Sequence, residues 1–231
     1  MAPTHLRVEH STAGYRQLLL ARPERRNALD LGLAQALREA LGEDEATPVV
    51  LGSTDPRVFC AGADLGVPDA DRAAVSDLVY ECCEIMITRP GPVIAVVAGA
   101  AVGGGAQLAA AADLRVAGPA ARLRWIGPAG VGLAVGAWVL TDLAGRGAAM
   151  ELALTGRWVE APEALALGLV NRVDDDPGQV AAGIAAELAA QDPRASARVK
   201  SVAAGGLLDR LHAERQANRS AWAQVITPAA G

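Results

Sequence analysis

Apolar and polar positions alternate in blocks whose period changes along the chain. Leu6 to Val8 and Tyr15 to Ala21 read as two strands around a Ser11–Gly14 turn. Asp30 stands where a helix N-cap belongs, before Leu33, Leu37 and Leu41 at helical spacing. A short buried strand at Val49 to Gly52 follows Pro48. A helix from about Ala73 to Thr88 is stopped by Pro90 and Pro92. The buried run Val93 to Ala98 breaks at Gly99. Gly103, Gly104 and Gly105 then open an alanine-rich helix that stops near Asp113. Beyond it, Leu114 to Ala117 and Leu123 to Ile126 predict short strands. Helices are expected at Val135 to Ala144, Ala148 to Leu154 and Ala161 to Leu167, with a last strand at Val170 to Val173. From Pro177 the pattern is helical throughout: to Ala190, Ala195 to Ala204, and Leu207 to Val225. Strands and helices therefore alternate to about residue 175, which predicts an α/β core over 1–175 and a helical C-terminal region over 176–231.

Composition narrows the class. The 231 residues are 52% hydrophobic and only 3% aromatic, so a sizeable core must be built from Ala, Leu and Val. A net charge of −5 and a pI near 5.3 argue against a nucleic-acid surface. The N-terminus lacks a signal-peptide pattern, and no run of apolar residues is long enough to span a membrane. Cys60, Cys82 and Cys83 do not read as a disulfide framework. His5, His10 and His212 lie far from them, so no metal site is expected. Together these features predict a soluble, reduced, cytoplasmic protein. High arginine and alanine usage, with Lys200 as the only lysine, suggests a GC-rich bacterial genome.

Two segments have the character of sharp turns after strands: Ala61-Gly62-Ala63-Asp64 and Val102-Gly103-Gly104-Gly105. One backbone N–H from each could converge on a single oxygen. Such an oxyanion hole contributes roughly 10²–10³ in rate per donor when charge develops on a carbonyl. Either turn alone is more simply a tight turn packed on a strand.

In this order and spacing, the segments resemble the enoyl-CoA hydratase/isomerase family, the crotonase superfamily. Arg22-Pro23-Glu24-Arg25-Arg26-Asn27-Ala28-Leu29 is similar to that family's R-P-x-x-x-N-A-L entry. Phe59-Cys60-Ala61-Gly62-Ala63-Asp64-Leu65 matches its F-C-A-G-A-D-L signature. Pro92 to Ala95, the three glycines, Asp113 to Ala117, Ala149-Met150-Glu151, Leu154-Thr155-Gly156 and Ala161 to Val173 extend the likeness from about residue 6 to 205. The resemblance implies a ββα spiral core, trimers built through C-terminal helices or hexamers made of two trimers, and coenzyme A as part of a thioester ligand. It implies that the N–H groups of Ala63 and Gly104 hold the thioester oxygen. Ala61, Asp64, Leu65 and Gly66 would lie along the CoA, and Arg25 and Arg26 near its nucleotide end.

The chain departs from the family at its acids. Hydratases of the family use two glutamates. Position 107, three residues after Gly104, is Gln107, and an amide does not exchange a proton near neutral pH. The second glutamate falls in a P-E pair that is here Pro128-Ala129. No Asp or Glu occurs between Asp113 and Asp142, nor between Glu84 and Asp113. Glu81, Glu84 and Asp142 are the nearest substitutes, each more simply a solvated helix-face residue. Cys60 reads as a small buried hydrophobe rather than a nucleophile. Ala129, Val131, Leu133, Val135 and Trp138 make the stretch apolar, which suits an acyl chain and equally a core. The family's E-G-x-x-A-F-x-x-K-R segment is not matched after Trp222, which predicts a less enclosed site. Three readings follow: an acyl-CoA binder with impaired or absent hydratase activity, an active hydratase, isomerase or decarboxylase of fatty-acid metabolism with a non-standard acid, and a scaffold subunit.

Overall fold

The computed structural model describes residues 5–126 and 132–226. Ala129 and Val131 lie outside the described residues. Strands β1 (Leu6–His10) and β2 (Arg16–Leu20) form the expected hairpin, with Leu6 opposite Leu20. Asp30 caps α1 (Leu31–Gly42) by accepting the Leu33 N–H at 2.8 Å. Next come β3 (Val49–Ser53), β4 (Val58–Cys60) and α2 (Asp69–Thr88), then β5 (Val93–Val97), β6 (Ala100–Val102) and α3 (Gly104–Ala111). The third round is β7 (Leu114–Ala117), β8 (Arg122–Arg124) and α4 (Ala137–Thr155). After β9 (Val159–Glu160), α5 (Ala161–Ala166) and β10 (Arg172–Val173), the chain is helical in α6 (Pro177–Ala189), α7 (Pro193–Ala203) and α8 (Leu207–Ile226).

The repeating unit is therefore two strands and a helix. The first strand of each unit joins a six-stranded sheet ordered β1-β2-β3-β5-β7-β10. The second joins a four-stranded sheet ordered β4-β6-β8-β9. Pairing is parallel except at the β1–β2 and β8–β9 ends. Successive units thus stack side by side as a spiral, and the corners between their strands touch. At one corner a Cβ on Gly99 would stand 2.1 Å from the Arg57 carbonyl, so only glycine lets the β3–β4 and β5–β6 corners meet.

Several boundaries differ from expectation for identifiable reasons. Strand β6 was hidden: the Ala-Ala-Val run is too short to show a period, and Gly99 reads as a turn leading straight to the glycines. Strand β9 is shorter still. The strand expected at Leu123 to Ile126 starts one residue earlier and ends two residues sooner, at Arg124, and the next residue, Trp125, is in the core and 1% exposed. The two helices expected on either side of residue 145 are a single run interrupted at Gly145, whose φ of 73° and ψ of 159° break the helix there.

The main core lies between the helices and the two sheets and takes in Leu211 and Trp222 of α8. A smaller cluster on the opposite face of the large sheet joins Tyr15, Val50, Ile94 and Val116 to Ala181 and Ala185 of α6. Among the described residues no helix is long and apolar enough to cross a membrane. Helix α3 runs so close to β4 that a Cβ on Gly105 would lie 2.4 Å from the Cys60 carbonyl oxygen. Gly105→Ala is therefore expected to destabilise the fold by about 3 kcal/mol or more, read as a shift of the denaturation midpoint, because neither backbone can yield.

Candidate functional site

The Arg22 to Leu29 segment forms a 3₁₀ turn (Pro23–Arg25) followed by two residues in left-handed conformation, Arg26 (φ 55°) and Asn27 (φ 53°). Asn27 explains the turn. Fully buried, it accepts the Arg22 N–H at 2.8 Å and donates to Ser53 Oγ at 2.7 Å and the Phe59 carbonyl at 3.0 Å. This fastens the segment to β3 and β4. The backbone then zips onto the next loop: Leu29 N–H to Gly62 O, Asp64 N–H to Leu29 O, and Ala61 N–H to Arg26 O, at 2.7, 2.9 and 3.1 Å.

Arg22, which carried no separate expectation, is the electrostatic clamp. Its guanidinium reaches the Ala28 carbonyl at 3.0 Å, Asp64 at 2.8 Å and Asp30 at 3.2 Å. Asp64, expected along the CoA, also braces this loop from within. Its carboxylate accepts the Gly66 N–H at 2.9 Å and the Arg22 pair, and it is 9% exposed. Those two partners, the Gly66 amide first, hold its pKa below the usual carboxylate range. Gly66 likewise closes the turn rather than lining the cavity. Arg25 and Arg26 are exposed on the neighbouring loop, outside the cavity wall.

The two glycine turns meet here. A Cβ on Gly62 would lie 2.8 Å from the Val102 carbonyl oxygen and 3.5 Å from the Gly104 nitrogen. Gly103, at φ 53° and ψ −119°, starts α3 in a conformation that side chains disfavour. Ala63 and Gly104 both line a cavity of about 510 Å³, and neither amide donates to another described residue. Ala61 and Leu65 also line it, and Leu65 is 71% exposed at its edge. The remaining wall is largely apolar, with Leu29, Val75, Val79, Ile126, Leu133, Val135 and Trp222. Arg72 and Arg124 are its charged members; among the described residues no carboxylate lines it.

Gln107 is in the wall and 5% exposed. Its Oε1 accepts the indole N–H of Trp138 at 3.0 Å. Trp138, expected as part of an apolar stretch, is buried in the core and is also the hydrogen-bond partner of Gln107. The substitute acids are engaged elsewhere. Glu81 pairs with Arg38 at 2.6 Å and Arg215 at 2.9 Å, and Glu84 with His212 at 3.2 Å. Asp142 pairs with Arg210 on the surface. Cys60 is fully buried, its thiol donates to the Asn27 carbonyl, and burial pushes its pKa up to about 12, which leaves no thiolate nucleophile.

Sequence reasoning missed a polar cluster that supports the far wall. Glu214 of α8 accepts the Tyr80 hydroxyl and the Gly136 N–H, each at 2.8 Å, and the Trp138 N–H at 3.0 Å. It is thus the cap that α4 lacks in its own sequence. Burial raises its pKa, and the hydroxyl and amides oppose that shift. Asn218, one turn on, accepts the Ala134 N–H at 2.9 Å and donates to the Ala134 carbonyl and the Tyr80 hydroxyl at 2.7 Å. Only the i, i+4 spacing of two polar residues on α8 could have signalled it.

With this geometry in place, the comparisons are consistent. Residues 11–229 match the Enoyl-CoA hydratase/isomerase family. The chain is 38% identical over 169 residues to "Probable enoyl-CoA hydratase echA6" of Mycobacterium leprae, covering 69% of this chain and 68% of that one. It is 37% identical over 206 residues to "Probable enoyl-CoA hydratase echA14" of Mycobacterium tuberculosis, covering 81% and 78%. The crystal structure of an enoyl-CoA hydratase from Bacillus anthracis superposes with a TM-score of 0.82 at 30% identity, covering 96% of this chain and 91% of that one. The fold is the α/β crotonase fold, and the chain belongs to the enoyl-CoA hydratase/isomerase family.

Two outcomes follow. Glu214→Ala strands two backbone donors and leaves the Tyr80 hydroxyl only the Ala134 carbonyl at 3.4 Å, and is expected to cost about 3 kcal/mol in chemical denaturation, with Glu214→Gln costing less because it keeps one acceptor. Because Asp64 has a lowered pKa in the folded state, its stabilisation is present above the ordinary carboxylate range. It is lost as the pH falls through the folded value. Acid titration of melting temperature should show this loss on the acidic side, and Asp64→Asn should remove that part of it.

Proposed function

We propose that this protein binds fatty acyl- and enoyl-CoA thioesters and hydrates them poorly or not at all. One observation carries the reading: two unpartnered backbone amides, from Ala63 and Gly104, line a single apolar cavity whose described wall contains no carboxylate. Two amides held by backbone contact suit the carbonyl oxygen of a thioester, which gains negative charge on polarisation. The apolar wall suits the acyl chain. Leu65 at the edge, with Arg25 and Arg26 on the adjoining exposed loop, suits a CoA entering from that side, its phosphates met by guanidinium groups.

Hydration needs more than polarisation. Water must lose a proton as it attacks, and the α-carbon must gain one. Gln107 and Ala129 stand at the two positions where the family pattern carries glutamates, and neither side chain exchanges protons near neutral pH. Coenzyme A enters as part of the ligand, and no separate cofactor or metal is invoked. The family pattern further supports a homotrimer or a pair of trimers, which sedimentation velocity resolves directly.

Crotonyl-CoA turnover tests the proposal. Loss of the conjugated thioester absorbance should be slower by roughly 10⁴ or more than in a hydratase with both carboxylates, while calorimetry shows binding of longer acyl-CoAs. Gln107→Glu combined with Ala129→Glu should raise the rate. Turnover at ordinary hydratase rates in the unmodified protein would favour an active enzyme with another acid. Failure to bind acyl-CoA or CoA would leave the scaffold reading.

A further inference from the structure

Gln107 has one half of its amide fixed, and the other half has no partner among the described residues. The Trp138 indole N–H can only donate, so it must meet the amide oxygen, at 3.0 Å. The Nε2 group, with its two N–H donors, is therefore turned away from Trp138. It donates to no described residue, yet it is not among the fully buried unpartnered atoms. With the residue 5% exposed and in the cavity wall, the open space available to Nε2 is the cavity itself.

Trp138 cannot easily turn to reverse this arrangement. It is 2% exposed, its own backbone N–H is held by Glu214, and Arg210 donates to its carbonyl at 3.1 Å. The donor is thus preset before any ligand arrives. Gly104 and Gln107 are three residues apart on α3, so they share a face within one turn, about 5 Å along the axis. With a thioester oxygen on the Gly104 amide, the acyl carbons that follow it would run past the same face of α3, where Gln107 also lines the cavity. Leu29 and Val79 pack against Gly104 and offer no acceptor, and Ser76 and Asn218 are the only other described lining side chains that could accept a hydrogen bond. A saturated or 2-enoyl chain would cover Nε2 and leave its protons without a partner, which is unfavourable for a buried donor.

We infer that Gln107 is a specificity-determining residue that selects acyl-CoA thioesters carrying an oxygen on C3, with 3-oxoacyl thioesters as the preferred class. A 3-oxo group presents a lone pair to the amide's free protons, which a saturated or 2-enoyl chain cannot do. The inference rests on the thioester-binding reading above. It differs from a search for a substitute acid, because Gln107 has a positive role in recognition here.

Calorimetric titration of the full chain with butyryl-CoA and 3-oxobutyryl-CoA tests it. The 3-oxo ligand should bind about 3–10-fold more tightly, the worth of one added hydrogen bond. In Gln107→Leu the ratio should fall to about one, as expected when that single bond is removed. In Gln107→Glu, which still accepts from Trp138, a carboxylate oxygen would face the 3-oxo oxygen, and the preference should reverse. Gln107→Glu carries the test should the Leu variant fail to fold. Equal affinities in the unmodified protein overturn this inference and leave thioester binding intact. A preference unchanged in both variants assigns it to another group and also overturns the inference. Binding of neither ligand overturns both readings.

Discussion

The site depends on backbone touching backbone. Each round of the spiral ends in a corner, and neighbouring corners approach more closely than any side chain permits. Gly62 lies on the Val102 carbonyl, Gly99 on Arg57, and Gly105 on Cys60. These contacts set the Ala63 and Gly104 amides in one wall with no adjustable element between them. Polar groups at such corners would ordinarily need partners. Here Asn27 and Arg22 supply them for the entry loop, and the Ala63 and Gly104 amides have no partner among the described residues. An arrangement of this kind costs no reorganisation when a ligand arrives, which is the condition under which a hydrogen-bond donor is most effective.

The opposite wall is built differently. It is held by side chains from a distant helix rather than by the spiral. Tyr80, Glu214 and Asn218 form a buried polar cluster in which each has partners, and it fixes residues 134–138 from outside. Such a cluster specifies one arrangement because leaving any member unpaired is unfavourable. Around it, Asp77 gathers Arg215 and Arg219, and Arg215 also meets Glu81, which binds α8 to α2. The acids of α2 that stood nearest to the cavity in sequence thus hold the last helix in place.

The sequence carried the near wall almost completely and the far wall hardly at all. Glycine runs, the Asp30 cap and the Leu33-Leu37-Leu41 stripe are local signals, and local geometry follows from them. The entry loop was legible through its motif, although the motif did not reveal that Asp64 faces inward to Arg22. Glu214 and Trp138 were illegible because their roles join residues far apart in the chain: a cap from α8 on α4, and an indole from α4 on an amide of α3. Ala-Ala-Val of β6 was missed for a simpler reason. Three residues carry no period, and that strand exists because its neighbours β4 and β8 flank it.

Trp138 joins these walls into one chain of contacts. Its backbone is held by α8 through Glu214, and its ring holds Gln107 on α3. Along the polypeptide, both glycine turns are made before residue 110, whereas Glu214 arrives more than a hundred residues later. The orientation of the Gln107 side chain is therefore tied to the docking of α8. The orientation of that one amide reports whether α8 is in place, so loosening that helix would change the polarity of the cavity.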